Sequence, residues 1–245
     1  DLRTIQGDVH PVNTDVFVPL LSQIDVSDSA KTVQDALAAV LAWDRNMDAD
    51  AAAPLIFEHF QKQLILATLG DELTAAGGET LTNDFLTDFR NITTQTEQQL
   101  VSQPDSAWWD DVSTAATESE PEIVKRAFTA AVKEIETSAG GNVKQWRWGD
   151  VHKTNFDHLV FASVSPLGRV FNRSVPARGS SFTVNAAGVD YTSFLMNSGA
   201  SYRQILDLGE LNASQFIYTT GQSGNVFSQH YDDLNSLWQE VRTIP

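Results

Sequence analysis

The sequence predicts an α+β fold, helical in its first part and built mainly of antiparallel strands in its second. Three observations carry this. Apolar residues recur at helical spacing up to about residue 140. Gly140-Gly141 then break the pattern. Beyond them, short runs rich in β-formers lie between Gly, Ser, Asn and Pro. Helices and strands segregated along a chain indicate α+β rather than alternating α/β. The expected division is a mainly helical region over 1–141 and a β-rich region over 142–245.

The first clear helix is 31–43, where Val33, Ala36, Leu37, Val40 and Leu41 form one apolar stripe. Pro54 opens the next, over 54–69, with Phe57, Phe60 and Leu64 inward. A third is predicted over 85–102. The fourth has the strongest start signal. Ser119 precedes Glu122 by three residues and Pro121 falls in the first turn, the pattern of a capping box. Its stripe is Ile123, Ala127, Ala131 and Ile135, and Gly140 ends it. Strands are predicted at 159–164, 182–185, 202–208 and 214–219.

Composition narrows the functional classes. The chain has 245 residues with 32 acids against 16 Lys and Arg, a formal charge of −16. So acidic a surface repels phosphate backbones and anionic lipid, so neither nucleic acid nor membrane is an expected partner. With no cysteine, disulfides and thiolate chemistry are excluded. No apolar run approaches the ~20 residues of a spanning helix. The sequence opens on Asp1-Leu2-Arg3 without methionine, which reads as a processed or excised piece of something longer.

The stretch 219–234, TTGQSGNVFSQHYDDL, raises a sharper question, because Ser223, His230 and Asp232 or Asp233 occur there in triad order. A nucleophile elbow needs G-x-S-x-G, and here Asn225 holds the last position. Triad partners also normally come from separate elements. The preferred reading is a tight glycine turn followed by an amphipathic helix over 230–238.

The same stretch, ending at Trp238, resembles the C-terminal signature of the penicillin acylase family. Other pieces follow in family order. They are Ile5-Gln6 with Asp8, Pro19-Leu20-Leu21, Trp43-Asp44, and Trp108-Trp109-Asp110-Asp111 with Thr114. Next come Trp146, Trp148-Gly149 and His152 with Phe156 and His158, similar to the subgroup containing acyl-homoserine lactone acylases. Arg178-Gly179, Phe182-Thr183-Val184-Asn185, and Ala200-Ser201-Tyr202-Arg203 with Asp207 complete the run. Each motif is weak alone; the ordered set spans essentially the whole chain.

The resemblance implies an N-terminal nucleophile hydrolase with an αββα sandwich. Such precursors cleave themselves to expose a serine at the start of the β chain, and its free α-amino group is the base. A backbone N–H and an asparagine stabilise the oxyanion. This chain looks like the C-terminal half of a β chain, so nucleophile and oxyanion residues are expected upstream and no catalytic residue is assigned within it. Asn13 and Asn46 inherit no role. The fragment alone is expected to be inactive. Its implied partners are the remaining α chain, the N-terminal half of the β chain and a small N-acyl substrate. That substrate class covers acyl-homoserine lactones, β-lactam side chains and lipopeptide acyl groups. Relatives are exported, which implies the periplasm or the medium. The alternative is a non-catalytic interaction module derived from the family.

Supporting candidates follow from the same resemblance: Asp207, Asn185, Thr183 and Arg203. If 202–208 is one strand, Arg203, Ile205 and Asp207 share a face. A buried Asp207 would need a partner or carry a raised pKa. It is read either as an acid serving groups near the serine or as a structural ion pair or turn acid. Asn185 either orders hydrogen-bond donors or ends a strand. No cofactor and no metal site are expected. Some relatives carry calcium, but that site lies mostly upstream. His152 and His158 have no zinc-ligand spacing and are read as packed among Trp146, Trp148 and Phe156. His10 and His59 are read as structural or exposed, and Trp108-Trp109 as core or as the wall of an acyl pocket.

Overall fold

A computed structural model describes residues 2–88 and 90–244; Asp1, Phe89 and Pro245 lie outside the described residues. The helices in chain order are α1 (Leu2–Gln6), α2 (Thr14–Leu21), α3 (Lys31–Leu41), α4 (Ala52–Thr68), α5 (Gly70–Leu86), α6 (Arg90–Leu100), α7 (Glu120–Ala139), α8 (Trp148–Val151), α9 (Leu167–Phe171) and α10 (Asn235–Gln239). The strands are β1 (Lys153–Phe156), β2 (Arg173–Pro176), β3 (Ala187–Val189), β4 (Met196–Gly199), β5 (Tyr202–Ile205) and β6 (Gln215–Tyr218). They form three antiparallel pairs, β1–β2, β3–β4 and β5–β6. The α+β class and the order of helices before strands are as the sequence predicts.

The helical part is organised around α4. A helix apolar all round is a core helix, and α4 buries Phe57, Phe60, Leu64 and even Glu58, His59 and Gln61. It packs along α7, whose buried stripe contains the expected Ile123, Ala127, Ala131 and Ile135. Ser119 starts α7 with its N–H 2.9 Å and its Oγ 2.6 Å from Glu122 Oε2. In α3 the stripe holds at Val33, Ala36, Leu37 and Val40, while Leu41 is exposed.

Several expectations need correction. The predicted helix over 85–102 joins two elements. Phe85 and Leu86 close α5, whose earlier part no pattern had indicated, and α6 begins at Arg90. α5 kinks at Gly78, where φ is 67° and an added Cβ would meet nothing within 4 Å. The run 159–164 is a series of turns and not a strand. Its apolar residues find no layer here, and Leu159 is 98% exposed. Residues 182–185 are also irregular, and the strand lies later, at β3. Their backbone is used elsewhere: Asn185 N–H donates to Asp8 O at 2.8 Å and Val12 N–H to Phe182 O at 3.3 Å. β5 stops at Ile205, short of Asp207, and the helix predicted over 230–238 is confined to α10.

The main core takes side chains from both parts of the chain. Trp146, Trp148, Val189, Tyr191 and Phe194 join the helical residues in it. A smaller core gathers Ile217, Leu234 and Trp238 beneath β5–β6.

Candidate functional site

Three of the four supporting candidates converge. β5 pairs Arg203 with Ile217 of β6 and turns the arginine inward, where it is buried. Its Nη2 donates to Asn185 Oδ1 at 2.6 Å, and its Nη1 donates to Trp238 O at 3.1 Å. The guanidinium carbon also lies 5.1 Å from the centre of the Trp238 ring. Neither hydrogen-bond partner is a carboxylate, and burial lowers the pKa of Arg203. A guanidinium is the basic group that best tolerates such a place, because it is weakly hydrated and stacks on aromatic faces.

Asn185 is held from its other side by Thr183. The Thr183 hydroxyl lies 2.8 Å from Asn185 O and 3.0 Å from Ser180 O, and it accepts the Ser180 N–H at 3.0 Å. This loop exists because Gly179 takes φ 90°. A Cβ there would sit 2.4 Å from Asn185 O and 2.8 Å from Thr183 Oγ1. Gly179 in turn is fixed to the helical core. Its N–H donates to Met47 O at 2.9 Å, and its carbonyl accepts Trp148 Nε1–H at 3.1 Å. So Arg203, Asn185 and Thr183 form one buried polar unit, anchored between both cores.

The fourth candidate is elsewhere. Asp207 is exposed, and its Oδ1 accepts the N–H groups of Gly209 at 2.9 Å and Glu210 at 3.1 Å. It shapes a turn and does not share a strand face with Arg203. The reason is local: β5 ends before it, and the aspartate side chain competes for backbone donors as it does in Asx-turns.

The triad-like stretch also resolves. His230 Nδ1 lies 2.8 Å from Asp233 Oδ2. Ser223 makes no hydroxyl–imidazole bond with it. Its Oγ accepts Asn225 N–H at 3.1 Å, and its N–H donates to His230 O at 2.9 Å. Asp232 pairs with Arg173. The glycine turn has a packing reason, since a Cβ on Gly221 would meet His230 O at 2.2 Å. Ser223, His230 and Asp233 line a common open cavity of about 530 Å³ without forming a relay.

His59, His152 and His158 pack as aromatic plates. His152 is buried, stacks on Trp148 with ring centres 4.3 Å apart, and reaches Phe194 O from Nδ1 at 2.8 Å. His59 stacks on Phe194 at 3.9 Å. Burial pushes the pKa of His59 down to about 4. His158, half-buried, stacks on Phe161 and accepts backbone N–H groups at Nδ1. Among the described residues no group of three His, Asp or Glu is placed to hold a metal ion. Trp109 is buried core, whereas Trp108 is 47% exposed beside a cavity.

Sequence reasoning missed two features of this architecture. Trp238, read only as the end of a motif, is the platform under Arg203. Glu97 is buried, Thr68 Oγ1 at 2.5 Å is its one donor among the described residues, and burial pushes its pKa up to about 7. The single available signal for Glu97 was its place on the same helical face as Thr93 and Leu100.

Comparison with known proteins agrees with the resemblance. The family model described as penicillin amidase matches residues 1–245. The acyl-homoserine lactone acylase QuiP of Pseudomonas syringae pv. syringae is 29% identical over 242 residues, covering 93% of this chain and 28% of that protein. The protein of the same name from Pseudomonas syringae pv. tomato is 30% identical over 235 residues, covering 91% and 27%. Penicillin acylase 2 proenzyme of a Pseudomonas species (strain SE83) is 26% identical, with 97% of this chain and 30% of that protein covered. The chain thus spans under a third of the length of these relatives. Among solved structures, the thermostable penicillin G acylase of Alcaligenes faecalis matches with a TM-score of 0.52 and 16% identity. That match covers 97% of this chain and 43% of the acylase chain, and shows a shared fold.

Proposed function

Since this chain belongs to the penicillin amidase family, we propose that it is the C-terminal portion of an acylase β chain whose parent hydrolyses a linear amide. The observation that carries the proposal is its alignment, along 93% of its own length, with an acyl-homoserine lactone acylase of which it spans only 28%. The substrate class we favour is therefore N-acyl-homoserine lactone, with β-lactam side chains and related N-acyl compounds next.

In this reading the nucleophile is a serine outside the present sequence. Its hydroxyl attacks the amide carbonyl, and the proton passes to the departing amine. Water then releases the acid from the acyl-enzyme. The negative charge on the tetrahedral intermediate needs fixed donors, which the same upstream part supplies. The present chain contributes rigidity. Arg203 holds the carbonyl oxygen of Asn185 and Thr183 holds its backbone, so the Asn185 amide group remains in one orientation. The parent acts in the periplasm or the medium, as the family resemblance implies, and this chain alone is inactive.

The test is the intact mass and N-terminal sequence of the full gene product, with release of free amine from an acyl-homoserine lactone as the assay. The expected result is a processed chain beginning with serine, active with the amide and silent when that serine becomes alanine. A gene that begins close to Asp1, with a product that hydrolyses no amide, overturns the proposal in favour of a non-catalytic module.

A further inference from the structure

A cavity of about 420 Å³ lies away from the Arg203 unit, within the range of small-molecule sites. Leu69, Leu73, Phe85, Leu100 and Trp108 give it apolar walls. The kink at Gly78 lets both arms of α5 contribute to it. Among the described residues one ionisable group lines it, Glu72. The Oε2 atom of Glu72 is enclosed and has no hydrogen-bond partner among the described residues. Burial pushes this carboxyl up to about 7, aided by its bond to Asp71 and by the charges of Asp71 and Asp111.

Among the described residues, the neighbouring charges have partners of their own. Asp71 Oδ2 accepts Val112 N–H at 2.7 Å. Arg126 is held by Asp111 at 2.9 Å and by Glu118 at 2.5 Å. What remains is a carboxyl with an unused oxygen, flanked by acids, in an apolar chamber that also presents an indole. Carboxylate and indole both attract an ammonium, and the walls favour a hydrocarbon. An anionic head would meet Glu72, with the charges of Asp71 and Asp111 behind it.

We infer that this cavity is a binding site for a primary alkylammonium, its chain among Leu73, Phe85, Leu100 and Trp108 and its head at Glu72. The inference is independent of the acylase reading.

The 245-residue chain is titrated at neutral pH with octylammonium, octanol, octanoate and ethylammonium, followed by tryptophan fluorescence and calorimetry. We expect saturable octylammonium binding, at least tenfold tighter than octanoate and at least tenfold tighter than the tail-less ethylammonium. Glu72→Gln should weaken octylammonium about tenfold and leave octanol unchanged. Ala76→Phe, which fills the chamber from α5, should weaken both. Circular dichroism checks that each variant is folded, and the probe series on the unaltered chain stands without them. Octanoate binding as tightly as octylammonium, no saturable binding of octylammonium, or a folded Glu72→Gln that binds octylammonium as before would overturn it.

Discussion

His59 and Glu97 pull stability in opposite directions as pH changes. The folded pKa of His59 is about 4, below its ordinary 6.5, because the ring is buried. The unfolded chain therefore takes the proton first on acidification. Its contribution is complete above pH 6.5 and is lost as pH falls toward 4. Glu97 is the reverse: burial raises it from 4.5 to about 7, so its contribution is present below pH 4.5 and is lost as pH rises through 7. Glu97→Gln keeps an acceptor for Thr68 and removes the charge. Urea unfolding should find this variant more stable than the parent chain at pH 8, by on the order of 3 kcal/mol at most, and little changed at pH 4.5. His59→Phe should flatten the acid side of the same curve. Arg203 is a different case, a charge with two fixed partners and no acid among them. Arg203→Met leaves Asn185 Oδ1 without its donor, while Trp238 O keeps the Val241 N–H, at a cost of about 1–3 kcal/mol in unfolding free energy from urea titration. Arg203→Lys should recover little, since an ammonium cannot span both acceptors and stack on Trp238 together.

Elements were legible wherever a local signal and the tertiary demand coincided. α7 runs from Glu120 to Ala139 because Ser119, Pro121, Glu122 and Gly140 mark its ends in the sequence itself. α4 needed only the helical spacing of Phe57, Phe60 and Leu64 after Pro54. α5 escaped because Gly77 and Gly78 argue against a helix, and the chain uses Gly78 to bend one. The segments 159–164 and 182–185 have strand composition, but composition does not supply a neighbour. The first has no layer to pair with in this chain, and the second spends its hydrogen bonds on Asp8 and Val12. The buried unit was half visible: Asn185, Thr183 and Arg203 could be named, while Asp207 stood open between a supporting acid and a structural or turn acid until the end of β5 decided it. Gly179 and Gly78 give a test of this account. Both have positive φ, so alanine costs on the order of 1–3 kcal/mol in backbone strain at either. Only Gly179→Ala also drives a Cβ to 2.4 Å from Asn185 O. Thermal melts should therefore show Gly179→Ala as clearly the more destabilised of the two, with Gly78→Ala costing the backbone strain alone.

At the scale of the whole molecule, two long-range properties oppose each other. Each strand pair has only two members, fewer than a sheet normally needs for stability by itself. Leu159, Leu208 and Phe227 stand 98%, 86% and 90% exposed. Such edges and apolar groups favour association with whatever can cover them, including another copy. Against this stands the charge of −16, which makes copies repel. Repulsion acts through solvent and is screened, with a Debye length falling from about 30 Å at 0.01 M salt to about 3 Å at 1 M. Apolar contact is not weakened in that way. Self-association should therefore grow with salt. Sedimentation velocity of the isolated chain should show a weight-average coefficient near that of a monomer at 0.01 M sodium chloride and clearly above it at 0.5 M. A clean monomer at high protein concentration across that whole range would mean that these faces do not seek cover. The edges and apolar groups would then be ordinary surface.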